Sequence, residues 1–127
     1  MNNFIDIEDI DSNQLKKIMV FSAGLKAERK NISKGSKDLK KYLTNKVVAL
    51  LFKKPSTRTR FSFEVGIFQM GGQTLTVSSN EMQISNFESM SDTARVLSQY
   101  LDMVVLRTDN HSDLIDLAKA LKIDSIL

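Results

Sequence analysis

The sequence predicts an α/β fold, a three-layer sandwich in which a parallel sheet of about four strands carries helices on both faces. Three observations lead there. Val47-Val48-Ala49-Leu50-Leu51-Phe52 is an unbroken apolar run rich in strand formers, as expected for a strand buried on both faces of a parallel sheet. Met103-Val104-Val105-Leu106 is a second such run, and Gln73 to Ser78 alternates polar and apolar through Thr74, Leu75, Thr76 and Val77. Stretches of helical spacing separate these runs, so strand and helix alternate, the arrangement of right-handed βαβ units. At 127 residues the chain suits one domain with a real core, and without cysteine the fold must rest on that core.

Taken in order, Asp11-Ser12-Asn13-Gln14 offers a capping residue with Gln three positions on, and Leu15, Ile18, Met19, Ser22 and Leu25 trace one face of a first helix. Lys30 to Lys46 is polar, with Gly35 and scattered lysines; Leu39, Tyr42 and Leu43 suggest a short packed turn in a surface connection. The strand at Val47 to Phe52 leads into a helix with two stripes, Phe61, Val65, Phe68 and Phe63, Ile67, Met70, which predicts burial on more than one side. Gly71-Gly72 ends it. After the strand at Gln73 to Ser78, the segment Ser79 to Ser89 is polar and aperiodic, a loop long enough to leave its own domain. Ser89-Met90-Ser91-Asp92 reads as a capping box, with Ala94, Leu97, Tyr100 and Leu101 facing inward. The strand at Met103 to Leu106 ends at Arg107, Ser112 opens a helix with Leu114, Leu117, Ala118 and Leu121 on one face, and Ile123 to Leu127 starts a fourth strand.

The net charge of +3 is modest but unevenly placed: Lys16 to Lys54 holds twelve of eighteen basic residues against Glu28 and Asp38. Aromatics do not alternate regularly with these lysines, only Phe21, Tyr42 and Phe52 falling among them, and no nucleic-acid-binding motif accompanies them, so solvated surface is the better explanation. A single histidine, His111, and no cysteine exclude a His/Cys zinc site. No apolar run approaches the roughly 18 residues of a membrane span, and Met1-Asn2-Asn3-Phe4-Ile5-Asp6 lacks a signal-peptide layout. A cytoplasmic protein without nucleic-acid or membrane partners is expected.

The chemistry concentrates between the first strand and its helix. Ser56-Thr57-Arg58-Thr59-Arg60 sets three hydroxyls and two guanidinium groups in five residues. A strand turning directly into a helix leaves backbone N–H groups unpaired, with the positive end of the helix dipole behind them. With the planar fork of Arg58 this makes a phosphate cradle, one without a glycine-rich P-loop. Ordinary capping by Ser56 or Thr57 and solvated arginines suit the same residues equally well. Ligands of such sheets bind beyond the carboxyl ends of the strands, where Ser56 to Thr59, the Ser79 to Gln83 region and Arg107 all fall. His111 reads as a helix-entry residue, and Arg60 as a partner of Glu64 at four-residue spacing.

Lys54-Pro55-Ser56-Thr57-Arg58-Thr59-Arg60, followed by Ser62-Phe63-Glu64, resembles the carbamoyl phosphate motif of the aspartate and ornithine carbamoyltransferases. Met82-Gln83, Ser91 to Ser98, Tyr100-Leu101-Asp102 and Arg107-Thr108-Asp109-Asn110-His111 are similar to the ornithine branch. The resemblance implies carbamoyl transfer from carbamoyl phosphate to the side-chain amine of ornithine, giving citrulline and phosphate in arginine biosynthesis. By the same resemblance, Ser56, Thr57, Arg58 and Thr59 hold the phosphate, and Thr59 with Arg107 polarises the carbonyl. Arg58, Thr59 and Arg107 then form the catalytic set, and Gln83 reaches the site of a neighbouring subunit in a homotrimer. Neither a metal nor an organic cofactor is implied.

The chain departs from the family pattern at Ile84 to Ser89, which replaces a Gly-Arg-Gly-Glu-like run, and at Lys53, where an acidic residue is usual. The His-Pro-Cys-Gln and His-Cys-Leu-Pro motifs do not occur. Residues 1–127 therefore read as an incomplete carbamoyl phosphate domain without an ornithine domain, expected to be inactive by itself. Two alternatives stay open: transfer to aspartate or putrescine, and a non-catalytic anion-binding or assembly module.

Overall fold

The computed structural model describes residues 3–78 and 90–121. A short 3₁₀ turn (Ile7–Asp9) precedes α1 (Ser12–Glu28), β1 (Val47–Phe52), α2 (Thr57–Gln69), β2 (Gln73–Ser78), α3 (Met90–Leu97), β3 (Met103–Arg107) and α4 (His111–Ala120). The three strands form one sheet in the order β2-β1-β3, with both pairings parallel. β1 is central, in register from Val47 opposite Gln73 to Phe52 opposite Ser78, and from Val48 opposite Met103 to Phe52 opposite Arg107. The residues assigned to a fourth strand, Ile123 to Leu127, lie outside those described.

The sequence pattern explains the layers. Successive strand residues point to opposite faces. Val48, Leu50 and Phe52 therefore pack with Ile67 of α2 and Val105, while Ala49 and Leu51 pack with Ala94 of α3 and Leu117 and Leu121 of α4 and its end. Helices thus cover both faces of the sheet. Val48, Leu50 and Val104 are fully buried, as an all-apolar central strand and its neighbour require.

Three expectations about helix faces need correction. α1 forms with the expected Asp11–Gln14 capping box, but Leu15, Ile18, Met19 and Phe21 are exposed and only Leu25 and Arg29 near its end are partly covered. Periodicity reports that a helix has an apolar face, not what covers it. In α2 only the Phe63, Ile67, Met70 stripe turns inward; Phe61, Val65 and Phe68 are 43–52% exposed. Tyr100 is also exposed: it lies past the end of α3 at Leu97, in the turn that follows, where its N–H donates to the Leu97 carbonyl at 3.0 Å. At α4 the cap is Asn110, whose Oδ1 accepts the Ser112 N–H at 3.1 Å, so His111 opens the helix and Ser112 is its second residue.

The polar connection from Lys30 to Lys46 contains no helix, and Leu39 stands free, but the segment is tied to the end of α2. Asp38 is buried, paired with Arg29, and its N–H donates to the Gln69 carbonyl at 2.7 Å. Leu43 N–H donates to the Met70 carbonyl at 2.9 Å, and its side chain joins the α2-side core. Gly71 follows α2 at φ +88°, where a Cβ would also stand 2.9 Å from Lys41 Cβ, so the glycine is needed both for the turn and for the close approach.

Candidate functional site at the carboxyl edge of the sheet

β1 delivers its last residue, Phe52, to the carboxyl edge, and five residues later α2 begins. Ser56 stands at the N-cap with φ −152° and ψ 83°, yet its hydroxyl makes no capping bond. The helix ladder opens with Arg60 N–H to the Ser56 carbonyl at 3.0 Å, and a helix start leaves its first amides without intrahelical partners. An unused hydroxyl, unpaired amides and the positive end of the helix dipole therefore meet at the start of α2. Arg58 is exposed beside them.

Arg107, the last residue of β3, arrives from the other side of β1. Its Nη1 donates to Thr59 Oγ1 at 2.8 Å, linking the end of β3 to the first turn of α2. Ser56, Thr57, Arg58, Thr59 and Arg107 thus share one edge, with Thr59 and Arg107 in contact. Gln83 lies outside the described residues.

Two open depressions flank this link. One, of about 400 Å³, is lined by Lys54, Pro55, Ser56, Thr57 and Arg60 among others. The other, of about 460 Å³, is lined by Thr59, Arg107, Thr108 and His111 among others. Arg60 pairs with Glu64 at 3.5 Å as its spacing suggested, while still lining the first depression; Glu64 also accepts the Thr76 hydroxyl at 2.6 Å. Among the described residues, no group of His, Asp and Glu is placed to hold a metal ion.

Sequence reasoning missed the carboxylates behind the site. Lys53 Nζ meets Asp113 Oδ2 at 2.5 Å, and Thr108 Oγ1 donates to the same oxygen at 2.8 Å. Lys53's hydrogen bond is the main reason the Asp113 carboxyl lies below its ordinary pKa; burial opposes it and Thr108 assists. Lys54 pairs with Asp109 at 2.8 Å, chiefly by a hydrogen bond that lowers the Asp109 pKa, on exposed surface. Asp113 directly follows Ser112, the residue read from the sequence as opening the helix, and nothing in the sequence connects it to Lys53, sixty positions away.

Residues 2–126 match the family described as aspartate/ornithine carbamoyltransferase, carbamoyl-P binding domain. The chain belongs to this family. Among relatives of this carbamoyltransferase-family chain, an ornithine carbamoyltransferase of Cereibacter sphaeroides is 46% identical over 119 residues, 94% of this chain and 39% of the relative. One from Campylobacter hominis is 41% identical, over 94% of this chain and 37% of its own length. The crystal structure of the anabolic ornithine carbamoyltransferase of Campylobacter jejuni superposes with a TM-score of 0.86 at 34% identity, over 99% of this chain and 38% of that one. The Pyrococcus furiosus ornithine carbamoyltransferase gives 0.87 at 33% identity, over 98% and 38%. The carbamoyltransferase-family chain thus spans about 39% of the length of its curated relatives.

Proposed function

We propose that this chain supplies the carbamoyl phosphate-binding half of an ornithine carbamoyltransferase. The observation that carries the reading is the 2.8 Å bond from Arg107 to Thr59, which sets a guanidinium and a hydroxyl side by side next to the uncapped start of α2. An acyl phosphate has two needs: positive charge and donors around its phosphate, and donors aimed at the carbonyl oxygen that becomes negative under attack. Ser56, Thr57, Arg58 and the α2 amides meet the first. Thr59 and Arg107 meet the second.

In this reading the ornithine side-chain nitrogen attacks the carbonyl carbon, and the carbonyl electrons move onto the oxygen held by Thr59 and Arg107. The tetrahedral intermediate collapses, the bond from carbon to the bridging phosphate oxygen breaks, and phosphate leaves with that electron pair and takes the proton from the attacking nitrogen. The products are citrulline and phosphate, and the place in metabolism is arginine biosynthesis in the cytoplasm. Residues 1–127 belong to the carbamoyl phosphate domain of that enzyme. Ornithine is held by a further domain of a longer parent, and Gln83 completes the site of a neighbouring subunit in a homotrimer.

The reading is tested by calorimetric titration of the chain with carbamoyl phosphate. Arg58→Ala removes charge-assisted bonds worth roughly 1.5–3 kcal/mol, hence a loss of about tenfold or more, while Lys54→Ala, already engaged with Asp109 on open surface, costs less than about threefold. Equal losses from the two substitutions would indicate a diffuse basic patch and no formed cradle.

A further inference from the structure

We propose that Lys53 and Asp113 are positioning residues that, with Thr108, hold Arg107 over Thr59; the inference rests on the role assigned to Arg107 in carbonyl polarisation. Arg107 is the final residue of β3 and could swing freely once its strand ends. It does not stand alone. Lys53 N–H donates to the Arg107 carbonyl at 2.9 Å, extending the β1–β3 ladder one residue past Phe52. Lys53 Nζ then reaches Asp113 Oδ2, and the residue after Arg107, Thr108, donates its hydroxyl to that same oxygen. The Thr108 hydroxyl also accepts the Asn110 N–H at 3.1 Å, and Asn110 caps α4.

One carboxylate oxygen therefore gathers both chain segments that flank the Arg107 backbone. Asp113 sits in the first turn of α4, where the helix dipole favours a negative charge, so the anchor is set by a rigid element. The pair is sheltered, with side chains 28% and 18% exposed, unlike the open Lys54–Asp109 pair beside it at 63% and 57%. Sheltered pairs are screened little, and removing one partner leaves the other poorly satisfied. What remains to be placed at this corner is the Arg107 side chain, and its hydrogen bond goes to Thr59. The side chains of Lys53 and Asp113 bond to each other and to Thr108, away from Thr59, so their effect on a ligand passes through Arg107.

Two probes separate this role from simple stabilisation. Inorganic phosphate offers only what the Ser56 to Thr59 turn holds; carbamoyl phosphate adds the carbonyl that Arg107 addresses. Lys53→Met and Asp113→Asn are expected to weaken carbamoyl phosphate binding about tenfold while changing phosphate binding less than twofold. Lys53→Arg, which keeps the charge, should restore most of the loss, and Lys53→Met added to Arg107→Ala should cost nothing further. In the ligand-free chain, ¹⁵N relaxation of the Arg107 Nε should show an ordered side chain that becomes mobile in both variants with the backbone amide spectrum retained. A chain that binds neither probe would defeat the functional reading, and the relaxation measurement would still decide the latch. An Arg107 side chain equally ordered in wild type, Lys53→Met and Asp113→Asn would overturn the latch, as would parallel losses for both probes.

Discussion

Ser56 occupies an N-cap and does not cap, and that is the residue on which the site can be separated from the scaffold. A working cap such as Asn110, bonded to Ser112, contributes about 1 kcal/mol, so Asn110→Ala should lower stability by roughly that amount in denaturant unfolding. Ser56→Ala removes no such bond and should change stability by less than about 0.5 kcal/mol while weakening carbamoyl phosphate binding. A loss of stability matching that of Asn110→Ala would mean that the Ser56 hydroxyl serves the helix and not a ligand. The Ser56 to Thr59 cluster and Arg107 were legible in the sequence because their residue types are dense and sit where strands end. The Arg29–Asp38, Lys46–Asp102 and Lys53–Asp113 pairs were not, since each joins residues that only tertiary folding brings together.

Among the elements, β1, β2 and β3 were readable to the residue or nearly so, because β-branched and aliphatic runs have one physical use in a covered sheet. Helix faces were less readable. α2 carries two apolar stripes and its spacing alone does not say which one the sheet takes. Ile67→Ala should therefore cost about 2–5 kcal/mol, whereas Phe61→Ala, half exposed, should cost under about 1 kcal/mol in the isolated chain. The reverse ranking would show that α2 is rotated from the arrangement described. The strand ends also carry an acid limit. The Asp102 pKa is lowered chiefly by the Lys46 hydrogen bond and next by the Val47 N–H, and the Asp113 pKa chiefly by Lys53. A folded-state pKa below the unfolded value adds stability that is complete above the unfolded value of about 4 and disappears as the pH falls through the folded one. Thermal unfolding followed from pH 6 to pH 2 should lose stability below about pH 4, and Asp102→Asn with Asp113→Asn should flatten that decline. An unchanged slope in the double variant would assign the acid limb to other carboxylates.

At the scale of the whole molecule, the carbamoyltransferase-family chain covers 39% of the Cereibacter sphaeroides enzyme and 37% of the Campylobacter hominis enzyme, and its site opens at an edge of the sheet. Under the proposed function, acceptor positioning, which can supply several kcal/mol of an acyl-transfer barrier, belongs to residues outside this chain. The purified 127-residue chain should accordingly bind carbamoyl phosphate and form no citrulline above a no-protein blank when ornithine is saturating. Citrulline formation above that blank and above an Arg58→Ala control would make the proposed second domain dispensable. If the parent assembles as proposed, one carrying Gln83→Ala, mixed with one carrying Arg58→Ala, should regain some sites by pairing intact halves. Mixed trimers with proven subunit exchange and no regained activity would remove Gln83 from the shared site.

The central claim is that Ser56 to Thr59 and Arg107 form one carbamoyl phosphate site, and a crystal structure of the chain soaked with carbamoyl phosphate tests it most directly. Phosphate oxygens should lie within hydrogen-bonding distance, about 2.7–3.2 Å, of the Ser56 and Thr57 hydroxyls, Arg58 and the α2 amides, with the carbonyl oxygen between Thr59 and Arg107. Ligand bound instead along the lysines of the 30–46 connection, or with its carbonyl turned away from Arg107, would contradict it.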